Sequence, residues 1–267
     1  MEKIITKGQF LFGIAIVAFG VENFFCAHLG LEVRGVPWFS TNLFVAYLTG
    51  IFLVAAGLSV MANVQARGTA TLLGFLFLFY VLVLELPQVA AKPMGISLRT
   101  VFFEALAMGS SAWTLAAALP SGGSGSRPRG GILDNLIRSG PYLFGISSVV
   151  FGIDHFLVLD VIASLVPPWL PGHLFWAYLT GTAFVAAGIS IVIKRMDQLA
   201  AFMLGTMFAL WFLILHSPRS VSATLSHNPN IQNEWSSAFI ALGMCGGCWI
   251  VAWHAQRRRR PMTSSGG

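Results

Sequence analysis

The sequence predicts an all-α membrane protein with eight transmembrane helices, built as two parallel-repeat four-helix bundles. Three observations predict it: an apolar composition, eight apolar stretches of spanning length, and an internal repeat. Of the 267 residues, 56% are hydrophobic and only 10% are charged, with a mean hydropathy of +0.75. A soluble domain carries about 25% charged residues. This chain has too few charges to cover a soluble globule of its size, which excludes an ordinary soluble enzyme, a disordered chain and a disulfide scaffold.

The stretches run over 9–27, 43–62, 70–86, 101–119, 142–159, 174–193, 199–216 and 237–254. Each is near the ~20 residues that cross ~30 Å of hydrocarbon at 1.5 Å per residue. Lipid offers the backbone no hydrogen bonds, so the stretches are helices. Their many Gly and Ala residues suit close helix contact in a bilayer. Lys3 and Lys7 precede the first stretch, but no small-residue cleavage site follows it, so it is expected to be a span and not a signal peptide.

The chain carries a net charge of +6. In a soluble protein that excess would suggest nucleic acid; here it falls in loops and tails, so the expected partner is the lipid bilayer with its anionic headgroups. Lys3, Lys7, Arg67, Arg127, Arg129, Arg138, Lys194, Arg195 and Arg257 to Arg260 lie on one side, twelve in all, against Arg34, Lys92, Arg99 and Arg219 on the other. Positive charge favours the cytoplasm, which predicts two cytoplasmic termini in a bacterial-type inner membrane.

The repeat sets the domain plan. Leu43-Phe44-Val45-Ala46-Tyr47-Leu48-Thr49-Gly50 returns as Leu174-Phe175-Trp176-Ala177-Tyr178-Leu179-Thr180-Gly181, followed by Val54-Ala55-Ala56-Gly57 and Val185-Ala186-Ala187-Gly188. Pro37-Trp38 matches Pro168-Trp169, and Leu84 with Pro87 matches Leu215 with Pro218. Met108 and Trp113 match Met244 and Trp249. Residues 1–120 form the first unit, 121–140 a Gly/Ser-rich cytoplasmic linker, 141–256 the second unit and 257–267 a basic tail. Four spans per unit give both copies one orientation, related by an axis along the membrane normal.

Ionisable residues inside spans are costly and mark function by default. Glu22 has Asp154 as its repeat partner, Asn23 has His155, and Glu85 has His216. The expected site is a polar cavity at the outer face, lined by Asp154, His155 and His216 in one unit and Glu22, Asn23 and Glu85 in the other. A carboxylate beside an imidazole sets its tautomer and moves protons, which suits exchange with a quinone. Trp169, His173, Trp176 and Tyr178 gather at the same end, as an aromatic belt or as a stacking wall for a planar ring. A network that only cross-links helices would leave the same residues. His28 and His173 sit near outer span ends, but no tight spacing such as His-x-x-x-His supports haem or a metal.

Cys245-Gly-Gly-Cys248 has redox spacing, yet it lies mid-span, where its repeat counterpart is also made of small residues; tight packing explains it better. The four lysines all lie outside span interiors, which excludes a retinal Schiff base. No phosphate-binding loop, nucleophile elbow or zinc-protease motif occurs.

Gly152-Ile-Asp-His-Phe156, Pro168-Trp-Leu-Pro171, Trp176-Ala-Tyr-Leu-Thr-Gly181, Ala187-Gly188 and His216-Ser-Pro218 resemble the DoxX-like integral membrane proteins. Members are four-helix units of this repeat length. The resemblance covers the second half and reaches the first through the repeat, with departures at Asn23 and Glu85. Relatives include a sulfur-oxidation subunit that passes electrons to quinone and components of redox-stress complexes. The resemblance thus implies an accessory membrane subunit of a redox or quinone-linked complex, partnered by other membrane or periplasmic subunits. A proton-coupled transporter and a purely structural assembly subunit are the rival expectations.

Overall fold

The computed structural model describes residues 7–29, 42–120 and 131–259. Expectations for Lys3, Arg34, Trp38, the 121–130 linker, the Arg260 tail and the His28 side chain lie outside the described residues. Among those described there are helices and no strands. The first half contains α1 (Gly8–Leu29), α2 (Leu43–Ala62), α3 (Ala66–Tyr80), α4 (Leu86–Ala91) and α5 (Ile96–Ala118). The second contains α6 (Ile132–Arg138), α7 (Gly140–Leu157), α8 (Leu159–Leu165), α9 (His173–Val192), α10 (Asp197–Trp211), α11 (Ser217–Leu225) and α12 (Ile231–Arg259). Seven helical runs are long and apolar enough to cross a membrane, and eight if α6 and α7, bent by 40° at their junction, count as one span. The chain is an all-helical, multi-pass membrane protein.

Local sequence explains the breaks. Two π-helical turns, Val81–Glu85 and Phe212–His216, interrupt the third and seventh spans. Pro87 and Pro218 follow each turn by two residues. A proline has no N–H and its ring crowds the carbonyl four residues back, so one wider turn is how the helix continues. Both turns end on a polar residue, Glu85 or His216. Pro141, at the first turn of α7, accounts for the α6–α7 break in the same way. The tight turns before α3 and α10 also share a geometry: Asn63 and Gln65 in one, Lys194 and Met196 in the other, all have φ between 53° and 57°. Asn42 caps α2 by accepting a hydrogen bond from the Phe44 amide at 2.9 Å.

The helices do not close into two self-contained bundles. The first helix, α1, packs on α2 and on α12, the last helix of the chain. In the other half α7 packs on α9 and on α5. The third spans keep to their own halves, α3 on α5 and α10 on α12, while α5 and α12 meet at the centre. Each half therefore lends its first helix to the fourth helix of the other. Residues 1–120 and 141–256 thus pack on each other through α1 on α12 and α7 on α5. Matching small residues permit it: a Cβ on Gly8 would lie 2.8 Å from the Gly246 carbonyl oxygen, and one on Gly140 would lie 2.7 Å from that of Ser110.

The α1–α2 and α7–α9 pairs are closer still. Gly13 and Gly20 face Gly57 and Gly50, and Gly145 and Gly152 face Gly188 and Gly181, so both pairs are antiparallel. A Cβ on Gly188 would sit 2.5 Å from the Gly145 carbonyl oxygen, whereas one on Gly68 would meet nothing. Gly188→Ala is expected to lower stability by about 2 kcal/mol through overpacking. Gly68→Ala is expected to be neutral or slightly stabilising. Thermal unfolding in detergent compares the two; equal effects would count against the close α7–α9 seam.

Candidate functional site

Polar side chains gather at the end of the bundle where α1 and α7 finish and α5 and α12 begin, called here the distal end. Asp154, near the end of α7, is buried. Arg99, in the first turn of α5, donates to its Oδ1 from Nε at 2.8 Å and also from Nη2. Thr100 Oγ1 shares its one hydrogen between the Ile96 carbonyl at 2.9 Å and Oδ2 at 3.3 Å. The partner of Asp154 is thus an arginine of the other half, not the expected imidazole.

His155 turns to a different neighbour. Its Nδ1 lies 2.7 Å from the Phe151 carbonyl oxygen. A carbonyl can only accept, so Nδ1 carries the hydrogen and Nε2 presents its lone pair. The ring packs on Phe184 of α9, centroids 5.0 Å apart, and Phe184 in turn meets Phe208 of α10 at 5.4 Å. Trp176 meets Trp211 edge-on at 6.2 Å, and its Nε1 donates to the Pro171 carbonyl at 3.1 Å. An imidazole and a set of aromatic rings therefore share the α7–α9–α10 side.

The first half repeats this skeleton with changes. Glu22, 9% exposed, receives a hydrogen bond from Ser236 Oγ of α12 at 3.1 Å on Oε1. Its Oε2 is buried without a partner. Asn23 is fully buried; its amide donates to the Phe19 carbonyl at 2.9 Å, and its Oδ1 has no partner. Glu85 is buried at the end of its π turn, and His216, at the end of the other, is half-buried. No hydrogen bond joins Glu22 to Glu85, or joins Asp154, His155 and His216 to one another, among the described residues. Asp154 and Glu22 are each met by a side chain of the other half, whereas His155 and Asn23 bond a carbonyl of their own helix.

The residues expected to hold a ring divide. Trp176 is half-buried against Trp211, Trp169 is 67% exposed, and Tyr178 lies outward near Phe156. His173 opens α9 and is half-buried. An open groove of about 670 Å³ runs along α11, lined by Leu213, Ser217, Pro218, Val221 and neighbours. It contains none of the expected site residues. Cys26, Cys245 and Cys248 are buried free thiols, as the packing reading of the Cys-x-x-Cys expects.

Sequence reasoning missed the partners. From the sequence Arg99 and Arg219 read as loop charges. Arg219 instead forms a two-pronged pair with Glu234, Nη2 to Oε1 at 2.6 Å and Nε to Oε2 at 2.9 Å. At the opposite end Arg258 and Arg259 both grip Asp197, tying the end of α12 to the start of α10. Glu104, one turn beyond Thr100 on α5, is a further intramembrane carboxylate. The available signal was charge balance: an acid inside a span needs a base at matching depth, and Arg99 and Arg219 sit at the span edges that supply one.

A family model described as Domain of unknown function (DUF8561) matches residues 144–242. That stretch holds Asp154, His155, Trp176, His216, Arg219 and Glu234, but not Arg99 or Thr100. No curated protein and no solved structure matches the chain.

Arg99→Ala would leave Asp154 buried with only Thr100, at a cost of about 3 kcal/mol. The double change Arg99→Leu with Asp154→Leu is expected to recover most of it, because an apolar pair pays no desolvation. Denaturation of the single and double variants measures the difference, and a harmless Arg99→Ala would remove the pair from the account of the fold.

Proposed function

We propose that the chain is a DoxX-like integral membrane subunit, accessory to a redox or quinone-linked membrane complex. In this reading its two four-span repeats run parallel about an axis along the membrane normal, and both termini face the cytoplasm of a bacterial-type inner membrane. Other membrane or periplasmic subunits are its partners. The observation that carries the reading is His155. Its Nδ1 is held by the Phe151 carbonyl, its Nε2 is left to a second partner, and its ring packs at a tilt on Phe184.

A quinone headgroup is a planar ring that takes up two electrons and two protons. Phe184, Phe208 and the Trp176–Trp211 pair offer edges and faces for such a ring. His155 Nε2 can accept a proton at the distal end. Arg99 holds the Asp154 carboxylate one residue away, which keeps a negative charge beside any imidazolium that forms. His216, on a π turn and so able to shift by one register, is the second imidazole in this half.

The test uses the full chain released from its own membranes in mild detergent. Native mass spectrometry is expected to find it with a quinone-sized adduct or a defined protein partner. Asp154→Asn combined with His216→Gln is expected to lose that species. A bare chain, or variants that keep the partner and its activity, would overturn the reading. The alternative, a proton-coupled small-molecule transporter, is favoured by one observation: among the described residues the Glu22 carboxyl meets no counter-ion. Substrate-dependent flux in proteoliposomes separates it from the redox reading.

A further inference from the structure

The end of the bundle opposite the distal cluster is strongly basic, and the chain lacks the acids to balance it. By sequence position twelve lysine and arginine side chains belong to this end, against three acids, Glu2, Asp134 and Asp197. The segments adjoining it, 1–6, 121–130 and 260–267, hold four of those bases and only Glu2 among the acids, so no part of the sequence can neutralise the excess. Some of the charge is used inside the fold. Arg258 and Arg259 hold Asp197, and Arg67 and Arg257 donate to the Leu119 and Ala118 carbonyls at 3.1 and 2.7 Å, where α5 ends.

Three cations of the second half stand outside those contacts and converge on one corner. Lys194 lies in the tight turn between α9 and α10, and its Nζ sits 4.6 Å from the centre of the Tyr142 ring of α7. Arg138 stands one turn before Tyr142, at the end of α6. Arg138, Lys194 and Arg258 all act electrostatically on His254 of α12, with Asp197 the acid among them, which brings α6, the α9–α10 turn and α12 to one place. Arg195 follows Lys194 in the turn. Arg138, Lys194 and Arg195 are exposed, and among the described residues their side chains make no hydrogen bond or ion pair. Exposed Leu136, Ile193 and Met196 stand beside them in sequence. The corner thus joins free positive charge to open apolar surface, the two features that an anionic amphiphile meets.

The corresponding corner of the first half is built differently. Its turn has the same backbone, but Asn63 and Val64 stand where Lys194 and Arg195 do, and Phe10 stands where Tyr142 does. Gln9 closes it with neutral hydrogen bonds, from Nε2 to the Val60 carbonyl at 2.6 Å and to Asn63 Oδ1 at 3.2 Å. Basic residues that only orient a chain work from any loop at this end. Their gathering on one turn, with a lysine over a ring, is a local feature that orientation does not require. We propose that Arg138, Lys194 and Arg195 form a binding site for the phosphate headgroup of an anionic phospholipid. Tyr142 holds the Lys194 ammonium against α7, and the acyl chains lie along the apolar residues beside the cations. The site rests on the multi-pass fold and not on the redox reading.

The test is native mass spectrometry of the purified full chain in a neutral detergent, titrated with phosphatidylglycerol or phosphatidylcholine. One phosphatidylglycerol is expected to stay bound at concentrations where phosphatidylcholine does not. A cation near a membrane surface contributes a factor of about five in affinity. Lys194→Asn, which makes this turn match Asn63 of the first half, and Arg138→Gln are therefore each expected to weaken the first binding step about fivefold. Lys194→Arg keeps it. Lys7→Gln removes one exposed charge from the first half of the same end and leaves it unchanged. The altered positions are all exposed, so the variants fold, and thermal unfolding verifies this. Equal retention of the two lipids, or an equal loss in Lys7→Gln, leaves only a diffuse field and overturns the site. Displacement of the lipid by inorganic phosphate makes a free anion the ligand and overturns it as well.

Discussion

How closely α5 and α12 approach each other governs the rest of the molecule. In a bilayer, apolar surface gains nothing by leaving lipid for protein, so helix association rests on packing at short range. Small residues give that packing here: a Cβ on Gly247 would lie 2.2 Å from Ser111 Oγ, and one on Gly243 would lie 2.6 Å from Met108 Cε. The spanning windows of α5 and α12 are each 72% buried, against 17% for the α10–α11 span, which makes the former pair the axis and the latter periphery. Ser110, Ser111 and Thr114 return their hydroxyl hydrogens to carbonyls three or four residues back on α5. They need no partner across the seam, so they fill it without holding the helices apart.

The seam also decides how the polar groups meet. Each central helix receives the first helix of the other half, so an acid on a first helix is met by a hydroxyl from a different repeat. This is why Asp154 finds Thr100 and Glu22 finds Ser236. A buried ion pair adds little stability over an apolar pair of similar size, but breaking it is expensive. Arg99 and Asp154 therefore bind the halves together in the sense that neither can be lost alone. Among the described residues Glu22 meets a serine and no arginine. At the opposite end Asp197 takes two arginines, which anchors the long α12 where it leaves the bundle.

Much of this architecture was legible in the sequence. Spanning stretches were readable because hydropathy and length are local properties, and the repeat was readable because identical runs such as Ala-Tyr-Leu-Thr-Gly recur. Pro87 and Pro218 marked the places where helices must widen. What the sequence did not disclose is the exchange of first helices. A duplicated unit looks the same whether each copy packs on itself or on its twin; the choice lies in fits such as Gly8 on Gly246 that only the assembled helices reveal. The exchange then hid the site's partners. Glu22 and Ser236 are 214 residues apart, and Arg99 sits at a span edge, where an arginine reads first as an orientation signal.

The two halves differ most where their backbones agree best. Asn23 and His155 both hydrogen-bond the carbonyl four residues back, at 2.9 and 2.7 Å, so the substitution keeps the local bond and changes only the outward atom. The surroundings change with it. His155, Phe184, Phe208, Trp176 and Trp211 correspond through the repeat to Asn23, Leu53, Phe77, Val45 and Tyr80. One half thus sets an imidazole against Phe184 and closes its carboxylate with Arg99. The other has thinned the rings and, among the described residues, meets its carboxyl with Ser236. Rings beside an imidazole suit a planar partner. The divergence therefore lies in the side chains that the two halves set at one depth, while the helix-to-carbonyl bonds beneath them are kept.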